Sequence, residues 1–491
     1  MRLPLRITDL KRLLELVFVF YLSATLSAGN EQSKQPAGLS LAERQFQAEE
    51  LKADLGYLFD TIEAVHPNPY AATSRGAIVR ERAKIVSTLT QPMSRMEFYR
   101  LVAPLVADLK DEHTALFPPR EEALRGTQVI FPIRPIIWEN RIFVRTNYSS
   151  NVNLRAGTEI LSINGRGSRK LLDQLSRLGF GKNLKYRMYV VERAFDVMLW
   201  IGPGYEPPFH LKIRRNGKTF NESVDGVRKS VIRQKEKAVN AASGKTLYSF
   251  RLLEHGKAAL VDIRGFPDAK EIAPFLEQTF SEIKNRGVRA IIFDLRKNDG
   301  GSLFVGDLVL SYLTTHPIAQ FSRAEVKVSV QSQECLGASS GDIGELTPFY
   351  RDRYFTQLLA QPGHVLTFEG NIVPPNPLAF SGKLYVLTGR GTYSAASILA
   401  ATVKDNRLGV LVGERTGGIG TQYAEPCPFE LPRTKLTGII AHARWVLGHG
   451  KDWGKGVDPD SLVATKPDDI LAGNDPVLEH VLALIHSEND N

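Results

Sequence analysis

Ser394 has a setting that suits a nucleophile. It follows a short apolar strand at residues 384–387 and opens a helix of small residues that runs to Lys404. A hydroxyl at the start of a helix lies at the positive end of the helix dipole, beside free backbone N–H groups, which favours an oxyanion. The alternative is that Ser394 only caps the helix, because serine is among the preferred N-cap residues.

Gly300 and Gly301 form a second turn from a strand into a helix. They follow the apolar segment 290–295, and without a Cβ their backbone can approach a ligand closely. Their N–H groups could therefore supply part of an oxyanion hole. An ordinary glycine turn is the alternative.

A serine nucleophile needs a base, and His113 is a candidate; the alternative is that this histidine only satisfies a local hydrogen bond. It follows a long apolar helix and has polar neighbours on both sides, whereas His66 precedes a proline and is better explained as a turn residue. The chain has no HExxH, no CxxC and no dense His/Asp cluster, and no Walker A loop or GxGxxG follows a strand. We expect no metal and no cofactor.

The patterns of apolar and polar residues divide the chain into three parts, which together must bring these candidate residues into place. Residues 39–120 show helical spacing, with a capping box from Ser94 to Glu97. Residues 127–225 show short β runs and the turn dipeptide Asn164-Gly165. A polar, basic connector at 228–243 leads to alternating strands and helices at 245–487, which indicate an α/β core with both sheet faces covered.

Composition excludes several other classes of protein. The 491 residues are 43% hydrophobic and 23% charged, which is typical of a folded globular chain of several domains. The net charge of +9 is spread along the chain, so we expect no nucleic-acid partner. Cys335 and Cys427 are too few for a disulfide scaffold, and whether they pair is left open.

The first 28 residues have the order of a secretory signal. Basic residues are followed by the apolar run LVFVFYL at 16–22 and by small residues that end at Ala28. The run is shorter than the roughly 20 residues that span a membrane, so we predict cleavage after Ala28, a secreted or periplasmic location and no stable membrane insertion. An uncleaved anchor is the alternative.

Several motifs, in this order, resemble the S41 serine peptidases, the C-terminal processing and tricorn-core family. They lie at 63–70 (EAVHPNPY), 109–116 (LKDEHTAL), 156–165 (AGTEILSING), 291–301 (IIFDLRKNDGG), 384–405 (LYVLTGRGTYSAASILAATVKD), 412–418 (VGERTGG) and 456–460 (GVDPD). The resemblance implies an α/β fold with a crotonase/ClpP-like catalytic core, an N-terminal helical region and a PDZ-like β-rich module.

The resemblance also implies the catalytic groups. Ile419 stands where the processing branch has a lysine base, whereas His113 matches the base of the tricorn-like branch. An exported serine endopeptidase is implied, with Ser394 as nucleophile, Asp452 as the acid supporting His113, and Glu414 as a more distant candidate. The implied oxyanion hole consists of Gly300, Gly301 and Ala395.

Two other functions remain open at this point. The same scaffold could serve a non-catalytic ligand- or peptide-binding protein, or an esterase or amidase that acts on small molecules. The PDZ-like module could capture a peptide carboxylate or only shape the cleft. The expected partner is a polypeptide substrate, and the oligomeric state is left open. Because His113 lies in the N-terminal region, we expect the isolated core to be inactive.

Overall fold

The structure, a computed structural model, describes residues 40–242, 246–338, 347–448 and 454–489. The predicted signal at 1–28 and the candidate Asp452 lie outside these residues. Within these ranges no helix has the length and the apolar character that a membrane crossing requires.

The N-terminal region is helical, as its periodicity predicts. Its elements are β1 (Gln45–Phe46), α1 (Ala48–Val65), α2 (Arg75–Thr88), β2 (Met93–Ser94), α3 (Arg95–Ala107), β3 (Ala115–Leu116), α4 (Arg120–Gly126) and β4 (Val129–Ile130). The capping box of α3 is confirmed, since the Ser94 N–H donates to the Glu97 carboxylate at 2.8 Å and Ser94 Oγ accepts from the Glu97 N–H. Apolar side chains of α1 and α3 pack together, with Leu51, Leu55 and Phe98 fully buried.

A mainly antiparallel β module follows. Its elements are β5 (Ile133–Trp138), β6 (Arg141–Asn147), β7 (Glu159–Ile163), β8 (Arg166–Gly167), α5 (Ser168–Ser176), α6 (Leu184–Arg193), α7 (Phe195–Ile201), β9 (Phe209–Arg215), β10 (Lys218–Val224) and β11 (Val227–Arg228). The sheet has the order β10-β9-β7-β6-β5, with β8 on β7, and β11 pairs with β4. The predicted turn at Asn164-Gly165 has positive φ at both residues and is confirmed.

The segment at 228–243, expected as a polar, basic connector, contains a helix. Residues Lys229–Ala242 form helix α8. Ile232 is fully buried, and the Glu236 carboxylate accepts from Arg134 at 2.7 Å and from the Tyr148 hydroxyl at 3.2 Å, so apolar and polar contacts together hold the helix against the β module.

The last part begins with an α/β sheet covered on both faces, as predicted. It comprises β12 (Tyr248–Leu253), β13 (Ala258–Ile263), α9 (Ala269–Arg286), β14 (Ala290–Asp294), α10 (Leu303–Leu313) and, further along the chain, β17 (Lys383–Thr388), β18 (Val410–Gly413) and β21 (Ser461–Leu462). Gly287, with φ 63°, ends α9 in the left-handed conformation.

A second sheet and further helices complete the chain. The remaining elements are β15 (Arg323–Lys327), α11 (Val330–Ala338), α12 (Pro348–Leu359), β16 (Val365–Glu369), α13 (Ala395–Asp405), β19 (Gln422–Glu430), β20 (Thr437–Val446), α14 (Pro467–Ala472) and α15 (Pro476–Asn489). The first sheet has the order β12-β13-β14-β17-β18-β21, parallel except at β12, and the second has the order β16-β15-β20-β19.

Two contacts position the functional residues. Helices α9, α10 and α13 pack on one face of the first sheet and α15 on the other, which places the start of α13 at the carboxyl end of β17. Strand β3 of the N-terminal region pairs with β20, so the residues just before β3 lie against the second sheet. The predicted α/β fold class is confirmed, and the N-terminal region is attached to the core through a shared sheet.

Candidate active site

Ser394 lies in a strained turn between β17 and α13. Its backbone has φ 52° and ψ −128°, a conformation that residues with a side chain rarely adopt. Although Ser394 is the N-cap residue of α13, its hydroxyl makes no capping hydrogen bond. The alternative that Ser394 serves only as a cap is therefore not supported, and its Oγ is directed elsewhere.

His113 meets this hydroxyl. The Nε2 atom of His113 lies 3.0 Å from Ser394 Oγ, although 281 positions separate the two residues. The other ring nitrogen, Nδ1, lies 2.6 Å from the carbonyl oxygen of Tyr423 on β19. A carbonyl only accepts hydrogen bonds, so Nδ1 carries the proton and Nε2 is left with a lone pair toward Ser394. This is the tautomer that a general base requires.

Burial keeps His113 neutral. Removal from water disfavours the imidazolium form and lowers the pKa of His113 below its ordinary value of 6.5, although the nearby Asp111 carboxylate opposes this. Asp111 also accepts the backbone N–H of His113 at 2.9 Å, which fixes the loop. The buried hydroxyl of Thr114 accepts the N–H of Ala441 on β20 at 3.2 Å. The loop that carries the base is thus held on both sides of the histidine.

Glu112 and Tyr393 join the histidine loop to the serine turn. The Tyr393 hydroxyl donates to the backbone oxygen of Glu112 at 2.7 Å, and its ring stacks on Tyr186 at 3.6 Å. The Glu112 carboxylate accepts the N–H of Lys182 at 2.9 Å. Burial raises the pKa of Glu112 to about 7. The sequence indicates only that His113 has polar neighbours, so these contacts of Glu112 were not expected.

The glycine turn lies directly against Ser394, but its two N–H groups differ. The Gly300 N–H donates to Oδ1 of the buried Asn298 at 2.8 Å, so it is not available to an oxyanion. This corrects the expectation for Gly300. A Cβ on Gly300 would lie 2.6 Å from Ser394 Cβ, so the role of this residue is to allow the close approach.

Gly301 and Ala395 keep free N–H groups on the two sides of Ser394. Among the described residues, neither N–H donates to a protein acceptor. Gly301 has φ 134° and sits so close to Phe266 that a Cβ would lie 1.9 Å from the Phe266 carbonyl oxygen. Both residues line the same cavity as Ser394 and His113. They match the requirement for an oxyanion hole with two backbone donors.

Of the two acidic residues expected to support His113, only Glu414 belongs to the described residues. Asp452 lies outside the described residues. Glu414 makes backbone hydrogen bonds with Thr388, and it is not part of the cavity lining. The group observed on Nδ1 is the Tyr423 carbonyl, and a backbone oxygen leaves no trace in the sequence.

An arginine of the serine turn binds the β module. Arg390 donates to the Ile137 carbonyl oxygen at 3.1 Å and to both carboxylate oxygens of Glu192 at 2.9 and 3.0 Å. Glu192 in turn accepts the Ile137 N–H at 2.6 Å. Because β5 is the last strand of its sheet, these bonds occupy backbone groups of Ile137 on the free edge. An added peptide strand would find Ile137 already paired.

A cavity of about 650 Å³ adjoins Ser394. Its described lining contains no lysine, and Ile419, which stands at the position of the lysine base in the processing branch, is buried. Cys335 lines the cavity and Cys427 is buried beside it; no disulfide joins these two residues. Burial, together with the neighbouring Cys335, raises the pKa of the Cys427 thiol.

Comparison with known proteins agrees with this geometry. Residues 257–463, which include both glycines and Ser394, match the family model for peptidase family S41. This segment belongs to peptidase family S41. His113 lies outside the matched S41 segment, so the candidate base belongs to a part of the chain that the family model does not cover.

A curated relative and two solved structures extend the comparison. The chain is 26% identical over 147 residues to the chloroplastic C-terminal processing peptidase of Tetradesmus obliquus, which is 29% of this chain and only 23% of the length of that relative. It shares the fold of mature CPAF complexed with lactacystin, with TM-score 0.62, 16% identity, and coverage of 89% of this chain and 97% of the other. A second structure of mature CPAF gives TM-score 0.60 at 16% identity, covering 86% and 94%.

Proposed function

We propose that this protein is an exported serine endopeptidase of the tricorn-like branch of family S41. The observation that carries this proposal is the 3.0 Å contact between Ser394 Oγ and an unprotonated His113 Nε2. The contact joins a residue of the S41 segment to one of the N-terminal region. The S41 match supports peptide hydrolysis as the class of reaction.

In the acylation step, Ser394 Oγ attacks the scissile carbonyl carbon and His113 Nε2 takes its proton. The Tyr423 carbonyl keeps the imidazole oriented and stabilises the imidazolium that forms. The same proton then passes to the leaving amine as the peptide C–N bond breaks. An acyl ester on Ser394 remains.

Deacylation repeats the proton transfers with water as the nucleophile. His113 takes a proton from water, the hydroxide attacks the ester carbonyl, and the proton returns to Ser394 Oγ as the ester bond breaks. In both steps the N–H groups of Gly301 and Ala395 hold the developing oxyanion. Removal of one such donor in comparable sites costs about 10²–10³ in rate.

The other parts of the chain have supporting roles in this proposal. Residues 1–28 direct export to a secreted or periplasmic location, and polypeptides are the substrates. The β module resembles a PDZ domain, and its contacts through Arg390 and Glu192 favour a structural role in shaping the cleft. Asp452 remains a candidate for support of His113.

Labelling with a fluorophosphonate tests the proposal directly, because the probe reacts with an activated serine. We expect the mature wild-type protein to be labelled and mass spectrometry to locate the adduct on Ser394. Ser394→Ala and His113→Ala should each abolish labelling. Digestion of an unfolded protein substrate should be lost in parallel.

Matched controls separate chemistry from folding. Ser87→Ala and His364→Ala replace exposed residues of the same types and should leave labelling unchanged. Labelling that survives His113→Ala would contradict the assigned base. No labelling in a protein that circular dichroism shows to be folded would reject catalysis and favour a ligand-binding protein on the same scaffold. Labelling without proteolysis would favour an esterase or amidase.

A further inference from the structure

The cavity beside Ser394 extends beyond the space next to the candidate catalytic groups. Its lining includes Ser394, Ala395 and Gly301, so whatever enters it lies next to the scissile carbonyl. The remaining walls come from α10 and α13 on one side, α11 and α12 on another, and β19 and β20. A volume of about 650 Å³ lies within the usual range of ligand pockets, roughly 300–1,000 Å³.

The walls of this cavity are mainly apolar. Side chains that face it include Leu303, Phe304, Leu336, Ile398, Ile439 and Trp445. Leu303, Phe304 and Leu336 are only half-buried, although each belongs to a helix that packs against the core. Their unburied surface is available to an apolar group that enters the cavity, which favours binding of that group by removing apolar area from water.

The charged side chains of the lining are already paired. Arg353 and Glu425 form a bidentate ion pair with N–O distances of 2.6 and 2.5 Å. The Arg353 guanidinium also lies 4.6 Å from the centre of the Trp445 ring. Asp299 is paired with Arg193 at 2.6 Å. An incoming charge would lose its water and gain at most the neutral side-chain amide of the buried Gln422, which has no hydrogen-bond partner among the described residues, and no free side chain of opposite charge, which is unfavourable.

We infer that this cavity selects a large apolar side chain at the residue whose carbonyl is attacked. Substrates with phenylalanine, tyrosine, leucine or methionine before the scissile bond should be cleaved in preference to those with alanine, aspartate or lysine there. The inference rests on the proposed function, since it assigns a specificity to that same site. Aromatic side chains bury about 150–250 Å² each and gain most from such a pocket.

A set of internally quenched peptides tests this preference. The peptides are identical and built from small residues except at one position, which is phenylalanine, leucine, alanine, aspartate or lysine, and mass spectrometry locates the cut. We expect kcat/KM for phenylalanine to exceed that for alanine by at least about 30-fold, since a single methylene in an apolar pocket is worth about 10–200-fold. Aspartate and lysine should be at or below alanine.

A substitution in the wall links the preference to the cavity. Leu336→Trp adds bulk on α11, away from the catalytic turn, and should lower the ratio of kcat/KM for the phenylalanine peptide to that for the alanine peptide about 10-fold. Leu359→Trp makes the same change at an exposed position of α12 that does not line the cavity, and should leave this ratio unchanged. Leu336→Ala enlarges the cavity. With a further peptide that carries tryptophan at the varied position, this variant should raise kcat/KM for tryptophan relative to phenylalanine.

The outcomes distinguish this inference from the proposal on which it rests. Fluorophosphonate labelling of Ser394 is measured on the same preparation. Labelling together with equal rates for phenylalanine and alanine, or a preference for aspartate or lysine, would overturn the inference alone. A preference for phenylalanine that neither Leu336 variant changes would also overturn it. Failure of labelling in the folded protein would overturn both.

Discussion

The carbonyl oxygen of Tyr423 lies 2.6 Å from Nδ1 of His113, so a neutral backbone group orients the imidazole in the described structure. A carboxylate at this place would favour the imidazolium strongly, whereas a carbonyl favours it less. The pKa of His113 is therefore governed mainly by burial, which lowers it. The basic, neutral form should persist to lower pH than for an ordinary histidine.

The pKa of His113 sets the pH dependence that we expect for the labelling of Ser394. The rate of fluorophosphonate labelling should fall as the pH drops through the pKa of His113, because only the neutral imidazole can take the Ser394 proton. We expect the midpoint below 6.5, measured as labelling rate from pH 4.5 to 8.5. A midpoint above 6.5 would contradict a purely backbone partner and would point to a carboxylate, with Asp452 as the candidate.

Glu112 should make the folded protein less stable as the pH rises. Burial raises the pKa of this carboxyl from 4.5 to about 7, so between these values the folded chain binds more protons than the unfolded chain. The free energy of unfolding should fall over that range, and the loss of about 3 kcal/mol is complete above pH 7.

Glu112→Gln removes this penalty and keeps an oxygen for the Lys182 N–H. The variant should melt at a higher temperature than wild type at pH 8 and at a similar temperature at pH 4.5, measured by circular dichroism. Glu334→Gln, at an exposed position, should leave the melting temperature unchanged at both pH values. Equal melting temperatures of Glu112→Gln and wild type at pH 8 would disprove the assignment.

Gly301 should tolerate no side chain. A Cβ there would meet the Phe266 carbonyl at 1.9 Å, and φ 134° disfavours alanine independently. Gly301→Ala should displace its N–H from the oxyanion and lower the labelling rate at least about 100-fold. Gly337→Ala on α11, where a Cβ has open space, should leave the rate unchanged. Comparable rates for the two variants would argue against a role of Gly301 in the site.

Asp54 should tie the N-terminal helices to the second sheet. This buried carboxylate on α1 accepts the N–H groups of Arg433 and Thr434 at 2.9 and 2.7 Å and the Thr434 hydroxyl at 2.6 Å. Asp54→Asn leaves only one accepting oxygen and should reduce the free energy of unfolding by about 1–3 kcal/mol, measured by urea denaturation. Asp60→Asn changes an exposed residue of the same helix and should have little effect on the free energy of unfolding. An equal reduction of this free energy in both variants would contradict the proposed role of Asp54.

Motifs and spacing were sufficient to predict much of the site. Ser394 stands out because it lies in a turn between a strand and a helix. His113 stands out because it follows an apolar helix and has polar neighbours. The free N–H of Gly301 and the occupied N–H of Gly300 could not be told apart, since the difference depends on the folded position of the Asn298 side chain.

Other parts of the structure depend on contacts that sequence patterns do not encode. The Tyr423 carbonyl could belong to any residue type, and the pairing of Arg353 with Glu425 spans 72 positions. Helix α8 was missed because its many basic and polar residues are typical of a polar connector, although its apolar residues are spaced for one face of a helix.

The separation of the catalytic pair along the chain has a consequence for protein synthesis. His113 is added to the growing chain 281 residues before Ser394. At about 5–20 residues per second, roughly 15–55 s pass between the two events. A ribosome that stalls in this interval releases a product with the base but without the nucleophile. For a peptidase of the kind proposed, every translation product that ends before residue 394 is therefore inactive.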